Sequence, residues 1–153
     1  MRKAVGAKID RMPTNPSQHD YESVAALRIA LRRFLHETER VTQAHNLTPQ
    51  RYDLLAVIRG SESASLSITD LAQRLSLAPH SVTELVDRAE NAGLVCRSHD
   101  GHDRRIARVK LTPKGKKRLD RVLIALNPER QALFDLLAQV YTHAERLNER
   151  PGK

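Results

Sequence analysis

The sequence predicts a mainly helical fold carrying one small β-hairpin, and three observations lead there. Apolar residues recur at three- and four-residue steps through most of the chain, which is helical spacing. The pairs Thr48-Pro49 and Thr112-Pro113 offer a hydroxyl to cap a helix and a ring that suits its first position. Only residues 94–97 and 106–111 read as strands, the second with clear alternation. The 153 residues suit one domain with an added dimerisation element, and 40% hydrophobic with 29% charged residues is a soluble, folded composition. No stretch approaches the ~20 apolar residues of a membrane span, and the basic N-terminus has no apolar run behind it as a secretory signal would. A single cysteine, Cys96, forms no internal disulfide, so a reducing cytoplasm is expected.

Residues 1–19 hold basic residues, Pro13 and Pro16 and no apolar period, and read as a flexible tail. Asp20 is placed as the cap of a long helix ending near Asn46. Its stripe is Tyr21, Val24, Leu27, Leu31, Phe34, Leu35, Thr38 and Val41. Such a helix is roughly 40 Å long, more than one small globule needs for itself, so its stripe is expected to be shared with a second subunit. The Thr48-Pro49 helix turns Tyr52, Leu55 and Ala56 inward, with Val57 and Ile58 as further candidates, and ends at Gly60 and the Ser-rich run 61–65. Residues 66–68 read as a short extended piece. Thr69 is placed as the cap of a third helix, with Asp70 complementing the helix dipole and Leu71, Ala72 and Leu75 buried. After a tight turn at Ser76-Leu77-Ala78, Pro79 opens a fourth helix that runs to Ala92 and is closed by Gly93. The two strands then pair around a polar loop, 98–105. The Thr112-Pro113 helix buries Leu119, Val122, Leu123 and Leu126. Asn127-Pro128 interrupts it, and a last helix presents Leu133, Leu136, Leu137, Val140, Ala144 and Leu147.

Charge is unevenly placed. The chain carries +8, with a pI near 10.1. Residues 97–121 hold ten Lys or Arg (Arg97, Arg104, Arg105, Arg108, Lys110, Lys114, Lys116, Lys117, Arg118, Arg121) against three acids, or +7, which leaves +1 for the rest. Excess cations gathered in one sixth of the chain point to a phosphate-facing patch, since each phosphate they neutralise releases counterions.

Helix, tight turn, helix and hairpin is the order of a winged helix-turn-helix. In the fourth helix Val82, Leu85, Val86 and Ala89 share one face. The opposite face shows His80, Ser81, Thr83, Glu84, Asp87, Arg88 and Asn91. Short polar groups at the N-terminal end of such a helix can reach base edges in a major groove. Glu84 can accept from a cytosine amino group or pair with Arg88 one turn on, and pairing is the favoured reading. Arg104 and Arg105 at the hairpin tip suit a narrow minor groove, with Asp103 orienting one of them. Thr69 and Arg74 of the preceding helix join this DNA-binding set.

The run ITDLAQRLSLAPHSVTELVDRAENAGLVCRSHDGHDRRIARVKLTPKG resembles the DNA-binding core of MarR-type transcription regulators. Its LVDR, AGLV, DRR and VKLTPKG segments carry the likeness, which extends over roughly residues 20–148. The resemblance implies a homodimer on a pseudo-palindromic operator, regulating transcription and most often repressing it. In that frame 48–112 is the winged helix-turn-helix, and 20–47 with 113–150 form the helical dimerisation region. Arg105 would be the minor-groove arginine with Asp103 as its support, and His80, Ser81, Thr83 and Glu84 would face the major groove. The family often has Ser at the cap of this helix, where the present chain has Ala78; the freed amides would suit a DNA phosphate. The resemblance also implies a small, often phenolic ligand, for which Arg32, His36, Arg51, Tyr52 and Leu55 are candidates, each with core packing or solvation as the blander and favoured role.

No Cys/His spacing suggests a metal, no cofactor is expected, and Cys96 reads as a buried, inert thiol. No Ser/His/Asp order, glycine-rich phosphate loop or paired carboxylates suggests an enzyme. The competing reading is a winged-helix module that binds proteins without specific DNA binding; its mark would be an apolar exposed face on the fourth helix.

Overall fold

Thr48, Ser67 and Thr112 each place a hydroxyl oxygen where a helix is about to leave amides unpaired, and three helices start there. The computed structural model describes residues 15–100 and 103–148, with side chains described at 15–98 and 107–142. In chain order these form α1 (Gln18–Ala44), α2 (Pro49–Arg59), β1 (Ser65–Ser67), α3 (Ile68–Leu75), α4 (Pro79–Asn91), β2 (Val95–Asp100), β3 (Asp103–Leu111), α5 (Pro113–Ala125) and α6 (Asn127–Asn148). The mainly helical class with a small antiparallel sheet is as expected. The expected tail falls largely outside the described residues. The described part forms two compact units, one of residues up to Arg33 with those from Ala132 onward, the other Phe34–Gln131.

Several boundaries differ from the expectation. α1 begins two residues before Asp20; the Asp20 carboxylate accepts from the Ser17 amide and hydroxyl, and its own amide donates back to Ser17 Oγ. α3 is capped by Ser67, not Thr69. Ser67 Oγ accepts from the Asp70 amide at 3.1 Å while the Asp70 carboxylate accepts from the Ser67 amide and hydroxyl, a reciprocal capping box. Thr69 sits inside the first turn and is exposed. Both residues can cap a helix. Ser67 wins because the chain up to it is held as a strand by β3.

That strand makes the sheet three-stranded rather than a two-stranded hairpin, in the order β1-β3-β2. Leu66 sits opposite Val109 on one side and Arg97 sits opposite it on the other. The wing strands also run further than the periodicity suggested, to Asp100 and from Asp103, with an irregularity between His99 and Asp100. Polar side chains do not stop a ladder whose bonds are all backbone. Strand parity corrects the reading of Cys96. Val95 points into the core, so its neighbour points out, and the Cys96 thiol is exposed.

The core of the larger unit joins Leu54, Leu55 and Ile58 of α2, Leu71 of α3, Val82, Val86 and Ala89 of α4, Leu94, Val109, and Leu119 and Val122 of α5. Leu54, unnamed in the sequence reading, is wholly buried beside the expected Leu55. The C-terminal half of α1 contributes Val41 and two buried threonines, whose hydroxyls donate to carbonyls of their own helix. α5 presses against the start of β2 so closely that a Cβ on Gly115 would lie 1.9 Å from the Leu94 carbonyl oxygen. The same junction is tied by Thr112, whose amide donates to Leu94 O at 3.0 Å and whose hydroxyl donates to Gly93 O at 2.7 Å. The closing glycine of the TPKG segment is thus required by packing. Gly93 itself takes φ +69°, the left-handed turn that ends α4.

Candidate nucleic-acid interface

The presentation of α4 starts with α3. Ser76 ends α3 in the left-handed region, at φ 55° and ψ 40°, and its amide donates to carbonyls of the last turn. Two residues later Ala78 is extended and offers no side-chain cap, and Pro79 follows as the first helical residue. Pro79 has no N–H and the Val82 amide donates to Ala78 O at 3.1 Å. The amides of His80 and Ser81 are therefore the α4 donors directed out of the helix start.

Val82, Leu85, Val86 and Ala89 are all buried, as their spacing required. His80, Thr83, Glu84, Asp87, Arg88 and Asn91 are exposed, and Ser81 is half-buried. The helix thus shows solvent a row of short and charged groups with no large apolar side chain among them; the exposed Leu77 lies just before it. The Thr83 hydroxyl donates to Pro79 O at 3.0 Å, which leaves its lone pairs and methyl group to meet a partner. Glu84 and Arg88 do not pair: among the described residues no ion pair joins them. Arg88 serves through its backbone, its carbonyl accepting from Arg51 Nη2 of α2 at 3.4 Å. In α3, Thr69 and Arg74 are exposed. The Asp70 carboxyl is held below its ordinary range, first by the Ser67 hydroxyl and then by the Ser67 amide and the charges of Arg108 and Arg74.

The basic segment is less uniform than its composition suggested. Arg97 of β2 lies against two acids of α4, Asp87 and Glu90, and its amide donates to Glu90 Oε1 at 3.0 Å. Its hydrogen bonds to Asp87 and then to Glu90 push the guanidinium pKa further up. Lys114 Nζ donates to Ala92 O at 2.7 Å and Arg118 Nη1 to Asn46 O at 3.3 Å, so both steady helix ends. Three of the ten cations therefore serve the fold. Lys110, Lys116, Lys117 and Arg121 are exposed. Arg104, Arg105 and Asp103 stand at the start of β3, but their side chains lie outside the described residues, as do His99 and His102. Sequence reasoning missed the acid partners of Arg97; the signal was there, in two carboxylates three residues apart on the helix that leads into the strand.

A family model described as the MarR family matches residues 45–106, from the turn before α2 into the wing. Over that segment the chain is similar to the MarR family. Among similar proteins, the HTH-type transcriptional repressor MdtR of Bacillus subtilis is 31% identical over 81 residues, 53% of this chain and 51% of that protein. The chain thus spans about half the length of MdtR in that match. The HTH-type transcriptional regulator FarR of Neisseria gonorrhoeae is 29% identical over 146 residues, covering 87% of this chain and 99% of FarR. Among solved structures, an S. aureus MepR variant bound to an oligodeoxyribonucleotide superposes with a TM-score of 0.62 at 18% identity, over 87% of this chain and 94% of MepR. NadR in complex with 4-hydroxyphenylacetate does so at 0.62 and 23% identity, over 90% and 96%. The superpositions establish the winged-helix fold of MarR regulators for this chain.

Of the candidate ligand residues, Arg32 and His36 are exposed and Arg51 and Tyr52 half-buried, while Leu55 is wholly enclosed in the core and shows no surface. Burial, with the nearby Asp53 charge, raises the Tyr52 phenol above its ordinary pKa. Arg32 belongs to one compact unit and the other four to the second. Among the described residues no three His, Cys, Asp or Glu side chains converge as metal ligands would, and no helix is long and apolar enough to cross a membrane.

Proposed function

We propose that this protein binds double-stranded DNA sequence-specifically as a homodimer, with α4 in the major groove and the tip of the β2–β3 wing in the adjacent minor groove, repressing transcription from a pseudo-palindromic operator. The observation that carries the reading is the division of α4. One face is sealed into the core while the other offers only short polar and charged groups, led by two outward-directed amides. His80, Ser81, Thr83 and Glu84 read base edges; Thr69, Arg74 and Arg88 meet the backbone; Arg105, backed by Asp103 and beside Arg104, enters the minor groove. Exposed Tyr21, Val24, Ile29 and Leu31 of α1 and Phe134 and Leu137 of α6 supply the apolar surface for a second copy. Cytoplasmic location and a small phenolic ligand complete the proposal. NadR with its 4-hydroxyphenylacetate is the support for the ligand, and His36, Arg51 and Tyr52 of the larger unit are its candidate neighbours here. The alternative, a winged-helix module for protein partners, requires an apolar reader face that α4 does not have.

Selection of bound sequences from a random duplex pool tests this directly. The expected result is an enriched inverted repeat whose half-sites lie about one helical turn apart. Affinity for it should fall steeply as salt rises. Recovery of no preferred sequence, with a flat salt response, overturns the proposal in favour of the protein-binding module.

A further inference from the structure

The wing and the reader helix are separate elements, yet one side chain ties them. Arg97 leaves β2 one residue after the exposed Cys96 and reaches the Asp87 and Glu90 carboxylates of α4, three residues apart on one helix face, while its own amide is held by Glu90 Oε1. A planar guanidinium with two carboxylates fixes orientation as well as distance, which a lysine does not. Asp87 is exposed and Arg97 is about one quarter exposed, so the pair sits at the rim of the surface that α4 presents. The same C-terminal end of α4 is also held by cations from two further elements, Arg51 of α2 on Arg88 O and Lys114 of α5 on Ala92 O.

We infer that Arg97 is a positioning residue for DNA recognition: it sets the angle between reader helix and wing, so that both grooves are met at once, and it contacts no phosphate itself. This rests on the DNA-binding reading above. The inference separates Arg97 from the other cations of its segment. A phosphate ligand adds to binding of every sequence and contributes about 0.9 to the salt slope. A residue that sets the angle between two readers adds to specific binding and leaves the slope unchanged.

The test uses the full chain, the duplex recovered by selection, a random duplex of equal length, and fluorescence anisotropy across a salt series. The double variant Asp87→Asn with Arg97→Met removes one charge of each sign, so net charge is kept while the tie is lost. The expected result is about a tenfold loss of affinity for the selected duplex, with random-duplex affinity and salt slope as in the wild type. A fall in folded fraction would weaken both duplexes equally, so the contrast between them reports positioning. Arg97→Lys, which keeps the charge and a single contact, is expected to fall between the two, and serves alone should the double variant not fold. Unchanged specific affinity overturns the inference, as does a parallel loss on both duplexes with the slope reduced by about one. A wild type that prefers no duplex overturns the DNA-binding reading itself, a result distinct from either.

Discussion

At Gly115 a single hydrogen atom stands where any other residue would place carbon against the Leu94 carbonyl. The obstacle is backbone, which cannot rotate away, so Gly115→Ala should destabilise the protein by at least about 2 kcal/mol, read as a lower urea midpoint at unchanged slope. Asp70 gives a prediction in pH. Its folded pKa is depressed by the Ser67 hydroxyl and amide, so its contribution is present above the ordinary carboxylate pKa and is lost as pH falls through the lower folded value. Urea denaturation between pH 7 and pH 2 should therefore show an acid loss that is smaller in Asp70→Asn, a variant already weaker at pH 7. An identical acid limb in both proteins would remove Asp70 from the account. Ser67 is also where residue-level reading reached its limit. Thr69 and Ser67 are chemically equivalent caps, and the choice between them depends on β3, some forty residues away in sequence.

Whole elements were easier to read than their ends. The buried face of α4 was legible residue by residue because a helix of thirteen residues repeats its period often enough to be unambiguous. β1 was legible only as a short extended piece at 66–68, since three residues hold no period and become a strand only by pairing with β3. Cys96 was misjudged because residues 94–97 mix apolar and polar types without clear alternation. The tie from Arg97 to Asp87 and Glu90 was missed because the cation count of its segment drew attention to phosphate. The uncapped start of α4, by contrast, was visible as Ala78 and stands in the structure. Ala78→Ser should raise stability by about 1 kcal/mol, measured by thermal melting, and weaken operator binding if the outward amides meet a phosphate. A more stable protein with undiminished affinity would sink that role for the amides. In the wing, Arg105→Ala should weaken binding most at operators with A·T-rich flanks, and equal effects on all operators would contradict the minor-groove assignment. Replacing Ser81 and Thr83 together by Ala should narrow the ratio of specific to random binding in the same anisotropy titrations.

For the molecule as a whole, the expected partner is its own copy. α1 and α6 expose Val24, Ile29, Phe134 and Leu137, more large apolar surface than a solitary small protein usually shows water. Phe134→Glu should shift sedimentation equilibrium toward monomer and lower operator affinity together, because half of a two-site grip holds far less tightly than the whole. Loss of affinity without dissociation would place Phe134 in another role. The order of the sheet has one more consequence. With β1 laid along one side of β3 and β2 along the other, the sheet keeps β2 as an open border, and a stray strand in a crowded cell would find its template there. β2 is short, it carries a guanidinium at Arg97, and its pairing with β3 is irregular between His99 and Asp100. Those are the traits by which natural sheets discourage unwanted extension, so the finger proposed to reach into DNA is also guarded against sticking to its own kind.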